Sequence, residues 1–301
     1  MQDGIITEIT QNPELYKEYL NMQADNPTYS PGNIALVIGQ GTSETTRFGT
    51  LAFWKGLGRN VNDSERKNGM MIYARSTFRK GYDLTPVYDI SQTNGKPVKE
   101  PLKLIAGSDK MDAALTTLLN YAVVPLELNK DIKQPALYDD KELKLSINPN
   151  STEYEVFSAL ATEIALSRIH GKGRYPDFTR EENLLDADSI SYILCRRFGI
   201  ERPQPDASKV AALYDGYDGA ERRNALDKIQ EMCKQIGGSI ERSIEPQQRN
   251  RSNNRSARLK KVLPPKGACI PATGASQGQG KPPSVRTGRA LTVTGPRYIG
   301  G

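Results

Sequence analysis

Histidine is almost missing from this chain. His170 is the only one in 301 residues, so no metal site built on two imidazoles can come from this polypeptide, and a histidine-based nucleophile relay has no support. Cysteine is scarce too. Cys195, Cys233 and Cys269 are odd in number and far apart, which argues against a disulfide framework or a paired-thiolate zinc site and fits a reducing cytosol. No apolar run approaches the roughly 18–20 residues of a membrane span, so no membrane partner is expected. Residues 1–20 carry acids and Pro13 rather than a basic start and an apolar stretch, unlike a signal peptide. No glycine-rich phosphate loop ending in Gly-Lys-Ser or Gly-Lys-Thr occurs. Tryptophan appears once, at Trp54.

Positive charge is present but unevenly placed. The net charge of +6 hides a tail, residues 241–301, with 12 Lys and Arg against two Glu; the first 240 residues hold 29 basic and 33 acidic side chains. The tail is rich in Arg, Pro, Gly, Ser and Gln and is expected to be disordered, because it has too little apolar surface to offset ordering. A second basic stretch lies inside the acidic body: between Gly41 and Lys80 there are eight Lys and Arg and three acids. Such charge points to an anionic partner, nucleic acid being the usual one, with a merely solvated terminus as the bland alternative.

The strongest helix signal is at 151–170, STEYEVFSALATEIALSRIH. Phe157, Leu160, Ala161, Ile164 and Ala165 recur at helical spacing, Thr152 and Glu155 fit a capping box, and Gly171 supplies a stop. A zinc peptidase helix carries His-Glu-x-x-His. The matching register here is Thr162-Glu163-Ile164-Ala165-Leu166, with the Glu kept and both His lost. Glu163 therefore reads as a remnant. A substitute site from Glu163, His170 and Asp188 is opposed by distance, since seven helical residues span about 10 Å and metal bonds are ~2 Å. His170 is expected at the helix end as a cation complementing the dipole.

Further helices are expected at 12–22 (Asn12 cap, Pro13 at the first position), at 109–122 capped by Ser108, at about 184–198 and at 221–236, the last ending before Gly237-Gly238; the run at 33–38 reads as a helix turn or a strand, and Ser30-Pro31 favours the helix. Strand character appears at 70–75, 84–90, 136–138 and 143–147. Tandem Tyr-Asp-Gly at 214–219 lacks the other ligands of a calcium loop and reads as a turn and helix cap.

Two stretches, covering roughly residues 28–200, resemble the ArdC-like antirestriction family of mobile elements. Ser30-x-x-Asn33 with Gln40, Phe53-Trp54, Gly58-Arg59-x-Val61 and the string Val87-Tyr88-Asp89-Ile90-Ser91-Gln92-Thr93 look like that family's domain for single-stranded DNA. The departure is at 62–69, where NDSERKNG stands in place of a short Gly-Glu-Lys-Gly turn. Ile147-Asn148-Pro149, the helix at 151–170, Ala187-Asp188-Ser189-Ile190-x-Tyr192 and Phe198-Gly199-Ile200 look like its zincin-like domain. There the family helix resembles His-Glu-Leu-Ala-His, and a further acidic ligand position falls on Leu184.

The resemblance implies an α+β fold of two small domains, a single-stranded-DNA-binding domain at 1–107 and a zincin-like domain lacking its histidines at 108–240, followed by the basic tail at 241–301. It implies a non-catalytic, cytoplasmic protein of a mobile genetic element with no cofactor, and single-stranded DNA as partner. The contacts expected are Trp54, Lys55, Arg59, Arg66, Lys67, Tyr73, Arg75, Arg79 and Lys80. Trp54 has two readings, a platform on which bases stack or a core residue, and burial is the commoner fate of a lone Trp. Two rival readings are a metallopeptidase with an atypical metal site, and a metal-less domain turned docking surface for a relaxase, nuclease or restriction enzyme.

Overall fold

The computed structural model describes residues 1–41, 44–98 and 100–244. It is an α+β fold. Helices α1 (Gln2–Gln11), α2 (Pro13–Asp25) and α3 (Pro31–Ile38) lead into β1 (Phe48–Gly49), α4 (Leu51–Gly56), β2 (Arg59–Val61), β3 (Met70–Arg75), β4 (Tyr82–Asp89) and β5 (Thr93–Gly95). Then come α5 (Asp109–Leu119), β6 (Leu126–Leu128), β7 (Ala136–Asp139), β8 (Lys144–Ile147), α6 (Glu153–His170), α7 (Arg180–Arg197), α8 (Val210–Leu213) and α9 (Gly219–Ile244).

Local chemistry sets several of these boundaries. Asn12 closes one helix and opens the next, its side chain accepting from the backbone N–H of Glu14 and Leu15 ahead of Pro13. Ser30 caps α3 in the same way, again ahead of a proline. Thr152 and Glu155 form a reciprocal capping box on α6, and Gly171 ends that helix in the left-handed conformation, φ 63°. The second Asp of the Tyr-Asp-Gly pair, Asp218, accepts from Glu221 N at 2.8 Å and so caps α9.

Three small sheets result, with strand orders β1-β4-β3, β2-β5 and β6-β8-β7. The strand segments expected at 136–138 and 143–147 form the antiparallel β7–β8 hairpin, while β6 pairs parallel to β8. The outer edge of β3 is closed by side chains rather than by another strand. The Asn33 carboxamide accepts from Tyr73 N–H (3.1 Å) and donates to Tyr73 C=O (2.9 Å). Gln40 does the same for Met71, at 2.9 Å in both directions. Both amides come from α3 and its end, so the helix replaces a neighbouring strand and leaves no open edge there.

A single buried cluster runs from Ile6 to Ile240 and includes α1, α2 and α3 with α5, α6, α7 and α9. Polar bonds reinforce it: Tyr16 Oη meets Ser189 Oγ at 3.0 Å, and Arg222 donates to Thr10 Oγ1 at 2.7 Å. A division at residue 107 therefore separates the sheets but not the core. A satellite cluster of Trp54, Val61 and Tyr88, flanked by Ile90 and Val98, lies under the first sheets.

Two expectations change. A helix at 2–11 precedes the one expected at 12–22. The last helix does not stop at Gly237-Gly238 but continues to Ile244, so residues 241–244 of the expected tail are helical; the rest of that tail lies outside the described residues. Among the described residues no helix is long and apolar enough to cross a membrane.

Candidate functional site

Helices α6 and α7 pack along one another and bring Thr162 and Glu163 to a polar seam. Glu163 is 4% exposed. Its Oε2 accepts from the backbone N–H of Tyr138 on the edge strand β7 (2.8 Å) and from Arg180 Nη1 (2.9 Å), and its Oε1 accepts from Arg180 Nη2. This is a two-pronged guanidinium–carboxylate pair, the strongest geometry open to these groups. Burial works against the Arg180 cation, and Glu163 with Asp188 and Asp140 together outweigh it, leaving the arginine's pKa raised.

One residue earlier, Thr162 stands at the first histidine position. Its hydroxyl donates to Asp188 Oδ1 at 3.0 Å and accepts from Arg202 Nη1 at 3.0 Å, and Arg202 Nη2 closes the triangle on Asp188 Oδ1 at 2.6 Å. Leu166, at the second histidine position, is fully buried, and Leu184, at the further acidic position, is half-exposed. A metal ion does not fit this donor set. Thr162 and both carboxylates already face guanidinium groups, and the two leucines offer no donor. Among the described residues no group of three His, Cys, Asp or Glu could hold a metal ion.

Glu163, His170 and Asp188 are not brought to a common point; each has its own partners. His170 is 8% exposed, stacked on Phe178 with ring centres 4.4 Å apart, and 2.8 Å from Tyr138 Oη through Nδ1. Burial lowers its pKa, opposed only by Asp140, so the expected helix-end cation is corrected to a buried imidazole held toward its neutral form. Burial, then Asp140 and Asp139, pushes the Tyr138 phenol up to about 12, and the phenol stays protonated.

The second region is the basic stretch between Gly41 and Lys80. Trp54 is fully buried, and its Nε1–H donates to Tyr88 C=O at 2.9 Å. No face is left for a base, so the core reading is the one found and the stacking platform is corrected. Arg59 is likewise structural. Its guanidinium bonds Thr93 Oγ1, Thr93 C=O and Lys96 C=O at 2.7–2.8 Å, tying β2 to β5. Arg66 is exposed but paired with Asp63 at 2.9 Å, and Arg79 with Asp83 at 2.6 Å. Lys55, Lys67, Arg75 and Lys80 are exposed and take part in none of the ion pairs among the described residues.

Tyr73, Arg75, Arg79 and Lys80 belong to one hairpin, β3–β4, in which Tyr73 opposes Leu84 and Arg75 opposes Tyr82. Alternation puts Tyr73, Arg75, Tyr82 and Leu84 on one face, with Arg79 and Lys80 in the loop at its end. That face looks outward, since Met70, Ile72 and Val87 of the opposite face are buried. Tyr73 is 41% exposed, Leu84 57%, Tyr82 62% and Phe78, in the connecting loop, 96%. The loop is closed by Ser76 N–H on Gly81 C=O at 3.0 Å, and Ser76 Oγ accepts from Phe78 and Arg79 N–H. Tyr82 and Leu84 were missing from the expected contacts, although a period of two from Pro86 back along the strand places them opposite Arg75 and Tyr73. Arg180 and Arg202 were also missed. The signal available for them was indirect: a buried Glu at a motif position without histidines needs a cation from elsewhere in the chain.

No protein-family profile matches the chain. It is 23% identical to a Bacillus anthracis protein described as uncharacterized, over 87% of this chain and 54% of that protein, so it spans about half the length of the relative it matches. Among solved structures it is similar to the antirestriction protein ArdC of plasmid R388. The Mn(II)-bound crystal structure matches with 16% identity and TM-score 0.47, covering 82% of this chain and 99% of that one. The metal-free structure matches with 16% identity and TM-score 0.43, covering 73% and 87%. At these values the likeness transfers no residue roles, and the assignments above rest on this chain's own contacts.

Proposed function

We propose that this chain is a non-catalytic protein that binds unpaired nucleic acid strands, single-stranded DNA in particular, through the outer face of the β3–β4 hairpin. The observation that carries the reading is that face: Tyr73, Phe78, Tyr82 and Leu84 stand in water beside Arg75 and Lys80. Rings left exposed next to unpaired cations are what a single-strand binder uses, the cations following phosphates and the rings stacking on bases at about 1–3 kcal/mol each. Lys55, at the end of α4, and Lys67 add further exposed charge, and the composition of residues 241–301 adds a net +10. Trp54 and Arg59 have no part in the contact.

The non-catalytic half of the reading is supported by Glu163. A general base needs a free lone pair aimed at water or substrate, and this carboxylate is engaged by Arg180 and Tyr138. The antirestriction setting in a mobile element, and the cytoplasm as the place of action, follow from the motif resemblance alone.

The test is fluorescence anisotropy of a labelled oligonucleotide, single-stranded and duplex, across a salt series. Single strands should bind more tightly, and log K should fall linearly with log salt. No binding at low salt, or binding indifferent to salt, would overturn the reading.

A further inference from the structure

The α6–α7 seam carries an inference that does not depend on nucleic-acid binding. Two carboxylates and two guanidinium groups meet there. The Glu163 side chain is 6% exposed against 33% for Arg180, and Asp188 is 25% exposed against 14% for Arg202. The arginines arrive from opposite ends of α7. Arg180 is its first residue, and Arg202 lies just past its last turn. They close on consecutive residues of α6, Glu163 directly and Thr162 by way of the triangle with Asp188.

A buried carboxylate needs an opposing charge and donors for its lone pairs. In a carboxylate-lined metal centre the ion supplies that charge. Here each acid already has a full positive charge within hydrogen-bond distance, and Glu163 has a backbone N–H as well. An incoming divalent ion would have to displace a guanidinium and sit beside a second one. Arginine is suited to the role because it never deprotonates and its planar fork matches a carboxylate.

We infer that Arg180 and Arg202 are permanent counter-cations that replace a divalent ion in this seam, so that the protein holds its fold without metal and takes none up. The inference concerns charge balance between α6 and α7, and its failure would leave the hairpin reading untouched.

The experiment uses the full chain, purified without a polyhistidine tag. Calorimetric titration with Mn²⁺ and with Zn²⁺ should show no stoichiometric uptake. Melting temperatures with either ion or with a chelator should agree within about a degree, because an ion that bound the folded state would raise Tm. Arg180→Met should lower Tm by roughly 6–12 °C, since it strands a buried anion. Adding Glu163→Gln to Arg180→Met should restore part of that loss, because the stranded charge is then gone. Stoichiometric Mn²⁺ or Zn²⁺ in the unaltered chain, an Arg180→Met variant that melts with the unaltered chain, or a double variant no more stable than Arg180→Met would each overturn the inference.

Discussion

The β3–β4 hairpin and the α6–α7 seam use the same side chains to opposite ends. Both combine arginine with aromatic residues. On the hairpin, Arg75 and Lys80 stay in water without an acidic partner among the described residues, and the rings of Tyr73, Phe78 and Tyr82 are open. In the seam, Arg180 and Arg202 are spent on Glu163 and Asp188, and Tyr138, His170 and Phe178 close over one another. The difference lies in the surroundings. A strand pair with one face on the core must leave the other face to solvent, whereas two long helices packed side by side exclude water and force every charge to find a partner. Arginine content alone therefore says little about binding; what matters is whether the guanidinium has already been matched.

The sharpest way to break this contrast is to remove a cation from the seam. Arg202→Met should destabilise the protein markedly. Breaking a buried ion pair costs about 3–5 kcal/mol, and Asp188, 25% exposed, puts this one at the lower end; urea unfolding of the variant would measure it. On the hairpin the order reverses. Phe78→Ala and Tyr82→Ala should change stability by no more than about 0.5 kcal/mol each, yet weaken single-strand binding by about 1–3 kcal/mol per stacked ring. A titration paired with a urea midpoint for each variant decides it, and a variant that unfolds early without losing affinity would blur the two regions into one.

The smallest effect expected is on pH. His170 is held neutral by burial in the folded state, so the unfolded chain takes up its proton at a higher pH than the folded one does. This group's contribution is complete above the ordinary imidazole pKa and is lost as pH falls below it toward the folded value. Urea midpoints across that window should decline with acidity, and His170→Gln should remove this part of the decline.

Much of the frame was legible in the sequence because it is local. Asn12-Pro13, Ser30-Pro31 and the Thr152–Glu155 box set helix starts by contacts within three residues, and strand character marked the strands of both hairpins. The family-like residues turn out to be fold determinants, a role the sequence did not announce: Asn33 and Gln40 seal the β3 edge, Arg59, expected as a nucleic-acid contact, ties down Thr93, and Asp89 with Gln92 caps a short turn. What was not legible depends on pairing across the chain. α1 begins at Gln2 with no side-chain cap to announce it. Gly237 looked like a helix stop, but it sits inside α9, beside the guanidinium of Arg197 on α7. Arg180 and Arg202 have no periodic signature at all, because their role exists only once α6 and α7 have met.

The burial of Trp54 has a practical side. With one indole in 301 residues, hydrogen-bonded to Tyr88 in a satellite cluster apart from the main core, the emission excited selectively at tryptophan, at wavelengths that spare the tyrosines, originates in a single small patch. Its colour and intensity thus report whether that patch is intact, independently of the helices that dominate the circular dichroism. The molecule carries its own local thermometer.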